Sequence, residues 1–225
     1  MPSWPVHIAL ARKVNKKLHL NDNFIIGNIL PDVLNGHIVD GTSKIIDTTI
    51  THYRKNHTEN NLSLFLSKYK DKLSNPIILG YACHLITDFY FNRYFFERHT
   101  TLKDDKRWAI LNDGSEFYDD KLMPWRIKQL DFEMFGKFLS NNNQLGKVID
   151  KTDDTINLIS EIKEISITEE DIKKTINEVN KFIISKYNDN EEYKMFTKEE
   201  LETLYEGCYK EIIKFLNDND LITNL

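Results

Sequence analysis

The segment with the clearest chemical potential in this sequence is His84-Leu85-Ile86-Thr87-Asp88. On a helix, positions i and i+4 lie on one face with their Cβ atoms about 6 Å apart, so this imidazole and this carboxylate lie side by side. The surrounding segment 76–98 is apolar nearly all round, which predicts a central buried helix. A buried, ionised aspartate is costly unless it is paired or bound to a metal. Alone, the pair fits either a structural His–Asp hydrogen bond or half of a metal site.

Three further residues favour the metal site. His7 lies in the first turn of a predicted helix, Asp32 follows Pro31 at a helix-to-loop junction, and His52 lies in a polar loop. Each alone is more often a surface or capping residue. Zinc accepts imidazole and carboxylate ligands readily, usually four at a time. The five residues together could therefore hold one or two zinc ions, with one carboxylate bridging the two.

Helical periodicity predicts the elements that position these residues. Gly80 lies one turn before His84, and its missing side chain would let another helix or loop approach the site. Asp22 is a candidate cap for a short helix that Pro31 stops. The segments 99–112 and 113–125 are ambiguous. The predicted helices span 5–18, 23–30, 60–73, 76–98 and 126–139, and two or three amphipathic helices follow, with capping boxes at Thr168/Asp171 and Thr197/Glu200.

These elements predict an all-α fold, a multi-helix bundle with a central buried helix. We expect residues 1–145 to form a metal-binding helical core, and residues 146–225 an acidic helical extension packed on the same domain. The last 76 residues hold 10 Lys/Arg and 19 Asp/Glu, which argues against binding of nucleic acid duplexes there. Cys83 and Cys208 form no CxxC pair, so a thiolate zinc site is not indicated. The sequence shows no secretion signal or membrane span, which predicts a cytoplasmic protein.

The ordered set of His and Asp residues resembles the zinc-dependent phospholipase C family, which is related to the single-strand-specific zinc nucleases. The segment GYACHLITDFY is similar to that family's ligand helix, and GNILPD is similar to its Pro-Asp turn. The resemblance runs from His7 to about Asp88. It implies an all-α fold, one zinc held by Asp32, His52, His84 and Asp88, and a second zinc held by His7 and a bridging Asp88. The family's third zinc site is expected to be absent, because Asn92-Arg93-Tyr94 holds no histidine where that site needs one.

Several other residues are candidates for roles around the zinc. Arg54 and Arg93 could bind phosphate, since guanidinium matches phosphate bidentately. Trp4 is expected to pack over the pocket. The general base or proton donor could be one of three residues in the loop near His52, namely Asp47, His37 and His57.

The function predicted from these observations is zinc-dependent hydrolysis of phosphate esters, similar to that of phospholipase C, with a phospholipid among the candidate substrates. The alternative is a non-catalytic zinc-bound helical protein whose C-terminal region binds a partner. A nucleotide phosphohydrolase of the HD type ranks last, because the sequence contains no His-Asp dipeptide. Substrate identity and oligomeric state stay open at this point.

Overall fold

The structure, a computed structural model, describes residues 2–34, 47–54, 61–118, 123–184 and 192–222. Helices dominate it, which confirms the prediction of a mostly α fold. The helices are α1 (Trp4–Leu18), α2 (Asn23–Ile29), α3 (Thr48–Thr51), α4 (Leu62–Tyr69), α5 (Pro76–Arg98), α6 (Met123–Asn141), α7 (Thr155–Ser160), α8 (Glu169–Ile184) and α9 (Lys198–Asp218). Short 3₁₀ turns follow α2 at Leu30–Asp32 and α4 at Lys70–Lys72. Three short strands lie between α5 and α6: β1 (Thr100–Lys103), β2 (Lys106–Ile110) and β3 (Glu116–Phe117).

Helix α5 is the centre of the bundle, as its apolar sequence predicts. It begins with Pro76 in the first turn, and the side chain of Asn75 caps it by accepting from the backbone N–H of Ile77 at 2.9 Å. Every residue from position 77 to position 88 is buried. The helix packs against α2, α4, α7 and α9, so its buried polar residues lie among several other elements.

Helices α2 and α5 cross in backbone contact at two glycines. A Cβ atom added to Gly80 would lie 2.1 Å from the carbonyl oxygen of Phe24, and one added to Gly27 would lie 2.2 Å from that of Ile77. Only glycine permits this approach. The side chain of Asn28 also donates to the Gly80 carbonyl at 3.3 Å. The prediction that Gly80 admits a neighbouring element is therefore confirmed, and α2 is that element.

The region between α5 and α6, which the sequence left ambiguous, forms a small antiparallel sheet in the order β1-β2-β3. Thr100 lies opposite Ala109, and Ala109 lies opposite Phe117 on the other side. The turn between β1 and β2 uses Asp104 and Asp105, with φ angles of 48° and 60°. Two consecutive positive φ angles are typical of the tight hairpin turns that Asn-Gly usually forms.

The expectation that the Asp22 side chain caps α2 is wrong. Asp22 precedes the helix but makes no capping hydrogen bond with its side chain. Its carboxylate instead pairs with Arg12 at 2.8 Å and accepts from the backbone N–H of Asp150 at 3.1 Å. An ion pair to the neighbouring helix α1 therefore replaces the local cap.

The last third of the described chain contains three helices, with both predicted capping boxes in place. Thr197 and Glu200 exchange hydrogen bonds of 3.1 and 3.2 Å at the start of α9. Thr168 and Asp171 do the same before α8, at 2.9 and 3.1 Å. Helix α9 packs against both α5 and α1. The division of the chain near residue 145 stays a prediction.

No described helix is both long enough and apolar enough to cross a membrane.

Candidate metal centre

The structure brings together the five residues that the sequence indicates as metal ligands. His7 comes from α1, Asp32 comes from the 3₁₀ turn after α2, and His52 directly follows α3. His84 and Asp88 come from α5, one helical turn apart. All five side chains are buried. Their ligand atoms form two groups with every atom pair within 4.8 Å: His7, His84 and Asp88, and Asp32, His52 and His84.

Hydrogen bonds on the far side of two imidazoles determine which nitrogen faces the cluster. His84 Nδ1 lies 2.7 Å from the carbonyl oxygen of Asn28, and His52 Nδ1 lies 3.0 Å from that of Thr48. A carbonyl oxygen can only accept, so each Nδ1 carries the hydrogen and each neutral ring presents a lone pair at Nε2. The two Nε2 atoms lie 3.2 Å apart. Two lone pairs at that distance repel unless a proton or a cation compensates them.

Carboxylate oxygens add further acceptors at the same place. His52 Nε2 lies 3.3 Å from Asp32 Oδ1 and 3.4 Å from Asp88 Oδ2. His84 Nε2 lies 3.7 Å from Asp88 Oδ2. Burial, aided by the neighbouring His7, lowers the pKa of His84 to about 3, so this ring does not carry a second proton near neutral pH. Imidazole lone pairs beside carboxylates, each ring oriented by a backbone carbonyl, are the donor set of a divalent cation such as zinc.

Both carboxyl groups are held in the ionised form. Burial alone would raise the pKa of Asp32, but the proximity of His52 and His84 outweighs that effect and lowers the pKa below its ordinary value. Burial opposes ionisation of Asp88 in the same way, and His84 and His7 together hold its pKa well below the usual range. Charged carboxylates with buried lone pairs are suited to bind a metal ion.

Asp88 directs its two oxygens to different partners. Oδ1 lies 3.3 Å from His7 Nε2, whereas Oδ2 faces His52, His84 and the Arg54 guanidinium, the last at 3.3 Å. The His7 ring stacks on His84 with centroids 4.2 Å apart and an interplanar angle of 11°. Among the described residues, neither ring nitrogen of His7 has a partner with hydrogen-bond geometry, and the same holds for Asp88 Oδ1. Buried polar atoms without partners that converge in this way could hold an ion between them.

A surrounding layer of hydrogen bonds holds the ligands in place. The Trp4 indole, buried as expected, donates from Nε1 to Asp32 Oδ2 at 3.1 Å. The Tyr81 hydroxyl donates to the Thr51 carbonyl, in the turn that presents His52. Such outer contacts fix ligand orientation and tune metal affinity.

The other predicted site residues are found in different surroundings. Arg54 lies beside the cluster, with a side chain only 9% exposed. Arg93 is 64% exposed and pairs with Glu97 at 2.8 Å. It lines a cavity of about 630 Å³ between α5, α9 and the start of α4, and the described lining of that cavity includes none of the five clustered residues.

Two of the three candidate proton-transfer residues, His37 and His57, lie outside the described residues. The third, Asp47, starts α3, and its Oδ1 accepts from the backbone N–H of Thr49 at 2.8 Å. This hydrogen bond caps the start of the short helix that His52 follows. The catalytic roles of all three stay predictions.

Sequence reasoning missed one charged residue near the cluster, Lys128. It is only 4% exposed, and both Asp88 and Arg54 act on it electrostatically. A signal was present in the sequence: Trp125, Lys128, Phe132 and Phe135 follow helical spacing, which places a lysine within an apolar stripe. The roles of the Asn28 and Thr48 carbonyls were also missed. Every residue has a backbone carbonyl, so residue type does not show which one orients a ligand.

The fold is a helical bundle in which buried histidines and aspartates from four segments converge on a candidate metal site. The model of the zinc-dependent phospholipase C family matches residues 6–190, and the chain belongs to that family. The match covers all five clustered residues and reaches well beyond Asp88, where the sequence resemblance had ended. No curated protein matches the chain, and no solved structure does.

Proposed function

We propose that this protein is a zinc-dependent hydrolase of phosphate esters, of the phospholipase C type. The observation that carries the proposal is the buried convergence of imidazole lone pairs and carboxylate oxygens, with the Arg54 guanidinium at its edge. Membership in the zinc-dependent phospholipase C family supports the choice of both metal and reaction. The substrate class is a phosphate ester, with a phospholipid as the first candidate.

We assign the ligands as the resemblance implies. Asp32, His52, His84 and Asp88 would hold one zinc, and His7 together with Asp88 would hold a second. The separation of the two Asp88 oxygens, one toward His7 and the other toward His52 and His84, supports a bridging carboxylate. When bound, zinc supplies Lewis-acid polarisation of the phosphoryl group and activation of water.

The chain's own residues would orient the substrate and control protons. Arg54 is placed to bind a non-bridging phosphate oxygen while it holds Asp88, because its NH2 lies 3.3 Å from Asp88 Oδ2. Backbone carbonyls keep the hydrogen of His52 and His84 on Nδ1, so neither ring needs to lose a proton to bind the metal. We retain Asp47, His37 and His57 as proposed proton-transfer groups, and Arg93 as a second proposed phosphate ligand.

One observation favours the alternative, a zinc ion with a purely structural role. The five side chains are between 0% and 2% exposed, and a structural zinc is closed off by protein ligands, whereas a catalytic zinc keeps one position open. In that case the metal would join α1, α2, α3 and α5, and the acidic C-terminal helices would bind a partner.

Metal analysis combined with a hydrolysis assay separates the two functions. The full chain would be loaded with zinc and offered a chromogenic phosphodiester and a short-chain phosphatidylcholine, with and without chelator. We expect hydrolysis that the chelator abolishes, that His84→Ala removes, and that His19→Ala, a change at an exposed histidine, leaves intact. Bound zinc without hydrolysis of either substrate would refute the hydrolase and leave the structural role. Absence of bound zinc would refute both.

A further inference from the structure

Lys128 is a buried cation that contacts no anionic side chain in the described part of the chain. Its side chain is 4% exposed, and Nζ donates to Asn92 Oδ1 at 3.2 Å. Among the described residues, no carboxylate lies within ion-pair distance of it. Burying an ammonium group without a counter-ion is costly, so a lysine retained at such a position needs an explanation.

Aromatic rings surround this ammonium group. Nζ lies 4.5 Å from the ring centroid of Phe95, 4.8 Å from that of Trp125 and 5.8 Å from that of Phe132. Cation–π attraction offsets part of the desolvation. A methionine would fill the same space without any charge to desolvate, so packing alone does not favour lysine here.

The position of Lys128 connects it to the metal centre. Its partner Asn92 lies four residues after Asp88 on α5, and therefore on the same helix face. Asp88 and Arg54 both interact electrostatically with the ammonium group. Burial lowers the pKa of Lys128 to about 8, so the charged form is still the major one at neutral pH.

The charge balance of the metal site indicates a role for this lysine in binding an anion. Asp32 and Asp88 carry two negative charges, and Arg54 and Lys128 carry two positive charges, so the four side chains together are neutral, although among the described residues no carboxylate contacts Lys128 itself. One or two divalent ions would then leave the buried site with two or four net positive charges. A phosphate group with two negative charges offsets all or half of this excess, and charge-assisted hydrogen bonds to it are strong in a buried site.

We propose that Lys128 is a phosphate-binding residue of the metal centre, whose Nζ donates to a non-bridging oxygen of the bound phosphate group. This inference rests on the proposed function and adds a recognition residue to it. The uncompensated charge is retained because the ligand, rather than the fold, supplies its counter-ion.

Calorimetric titration of inorganic phosphate into the zinc-loaded full chain tests the inference. Lys128→Met should raise the Kd for phosphate about 10- to 100-fold, the loss expected for one charge-assisted hydrogen bond. The matched control is Lys13→Met, since Lys13 also lies over aromatic rings but on the surface, paired with Glu206. The control should bind as the wild type does, and all three proteins should hold equal zinc.

Thermal melting supplies a second readout that a packing role would not produce. Without phosphate, Lys128→Met should melt at or above the wild-type temperature, because a buried unpaired charge has been removed. Phosphate should raise the melting temperature of the wild type and of Lys13→Met but not of Lys128→Met. If the methionine variant does not fold, Lys128→Gln, which keeps a donor for Asn92, replaces it.

The outcomes separate this inference from the proposed function. Wild-type Kd values in both Lys128 variants, or no phosphate binding by the zinc-loaded wild type, would overturn the role of Lys128 even if the enzyme hydrolyses phosphate esters. Weakened phosphate binding in the variants would support the inference, and an inactive wild type would then count against hydrolysis alone.

Discussion

Two buried aspartates in this protein have opposite surroundings. Asp131 on α6 is 1% exposed and accepts three backbone N–H groups, from Lys194 at 3.1 Å, Met195 at 2.7 Å and Phe196 at 2.9 Å. Asp88 on α5 is fully buried, and besides Arg54 it meets imidazole nitrogens at 3.3 to 3.7 Å.

The surroundings of these two residues distinguish a structural carboxylate from a metal-ligand carboxylate. The donors around Asp131 are permanent parts of the fold, so its negative charge is compensated as soon as the chain folds. Two of the imidazoles around Asp88 are turned so that they offer lone pairs. That cluster is completed only by something positive from outside, so the two residues should respond differently to mutation and to metal.

The largest effect is expected at Asp131. Asp131→Ala would leave the buried N–H groups of Met195 and Phe196 without an acceptor, at about 1–3 kcal/mol each, and would also remove the acceptor of the partly buried Lys194 N–H, so the free energy of unfolding should fall by about 3 kcal/mol or more. Urea denaturation measures this. The control Asp113→Ala removes an exposed aspartate that accepts from Ser115 and should cost less than about 1 kcal/mol. If Asp131→Ala lowers the free energy of unfolding no more than the control does, Asp131 is not the structural carboxylate described here.

The second effect is the stability gained from zinc. At zinc concentrations 100 to 1,000 times the Kd, binding should add about 3–4 kcal/mol to the wild-type free energy of unfolding. Asp88→Asn should abolish this gain. Asp131→Asn should show the same gain from zinc, although its free energy of unfolding without zinc is lower than that of the wild type. Denaturation curves recorded with zinc and with chelator measure this difference in the free energy of unfolding. An intact zinc gain in Asp88→Asn would show that the carboxylate is not a ligand.

The contact between α2 and α5 gives a third, smaller effect. Gly80→Ala would place a Cβ atom 2.1 Å from the Phe24 carbonyl oxygen, so the helices must move apart, at a cost of about 1–3 kcal/mol. Because Asn28 on α2 orients His84, zinc affinity should fall as well. Gly114→Ala is the control: its φ of 80° makes it unfavourable for stability, but it should not change zinc affinity. Denaturation measures the stability of both variants, and competition titration measures their zinc affinity.

The smallest effect is expected at the outer hydrogen bonds. Tyr81→Phe removes the donor to the buried Thr51 carbonyl and should cost about 1 kcal/mol, with zinc affinity about 10-fold weaker. Tyr69→Phe loses a hydrogen bond to Glu164, outside the cluster, and should cost a similar free energy without changing zinc affinity. Equal zinc affinities in the two variants would show that Tyr81 does not position His52.

Local patterns in the sequence predicted the part of the site that lies within one helix. The i, i+4 spacing fixes His84 beside Asp88, Pro76 marks the helix start, and Gly80 marks the close approach. His7 and Asp32 were recognised only as members of an ordered set, because nothing local distinguishes them. Their positions beside Asp88 and His52 depend on how separate elements pack.

Other features escaped prediction for physical reasons. The hairpin turn at Asp104-Asp105 lacks the glycine that usually marks such turns, and Asp22 found an ion-pair partner, Arg12, that competes with capping. Helix α5 supplies part of the surroundings of Lys128. The burial of this lysine could therefore be indicated in the sequence only by its position within an apolar stripe. Tertiary contacts decided each of these cases over local preference.

Zinc K-edge X-ray absorption on the purified full chain, with zinc content measured on the same sample, would show whether the clustered histidines and aspartates bind zinc. We expect one or two zinc ions per chain, bound only by nitrogen and oxygen ligands that include imidazole, and lost in His84→Ala. A chain that binds no zinc tightly, a sulfur ligand, or zinc retained at full occupancy in His84→Ala would contradict this expectation.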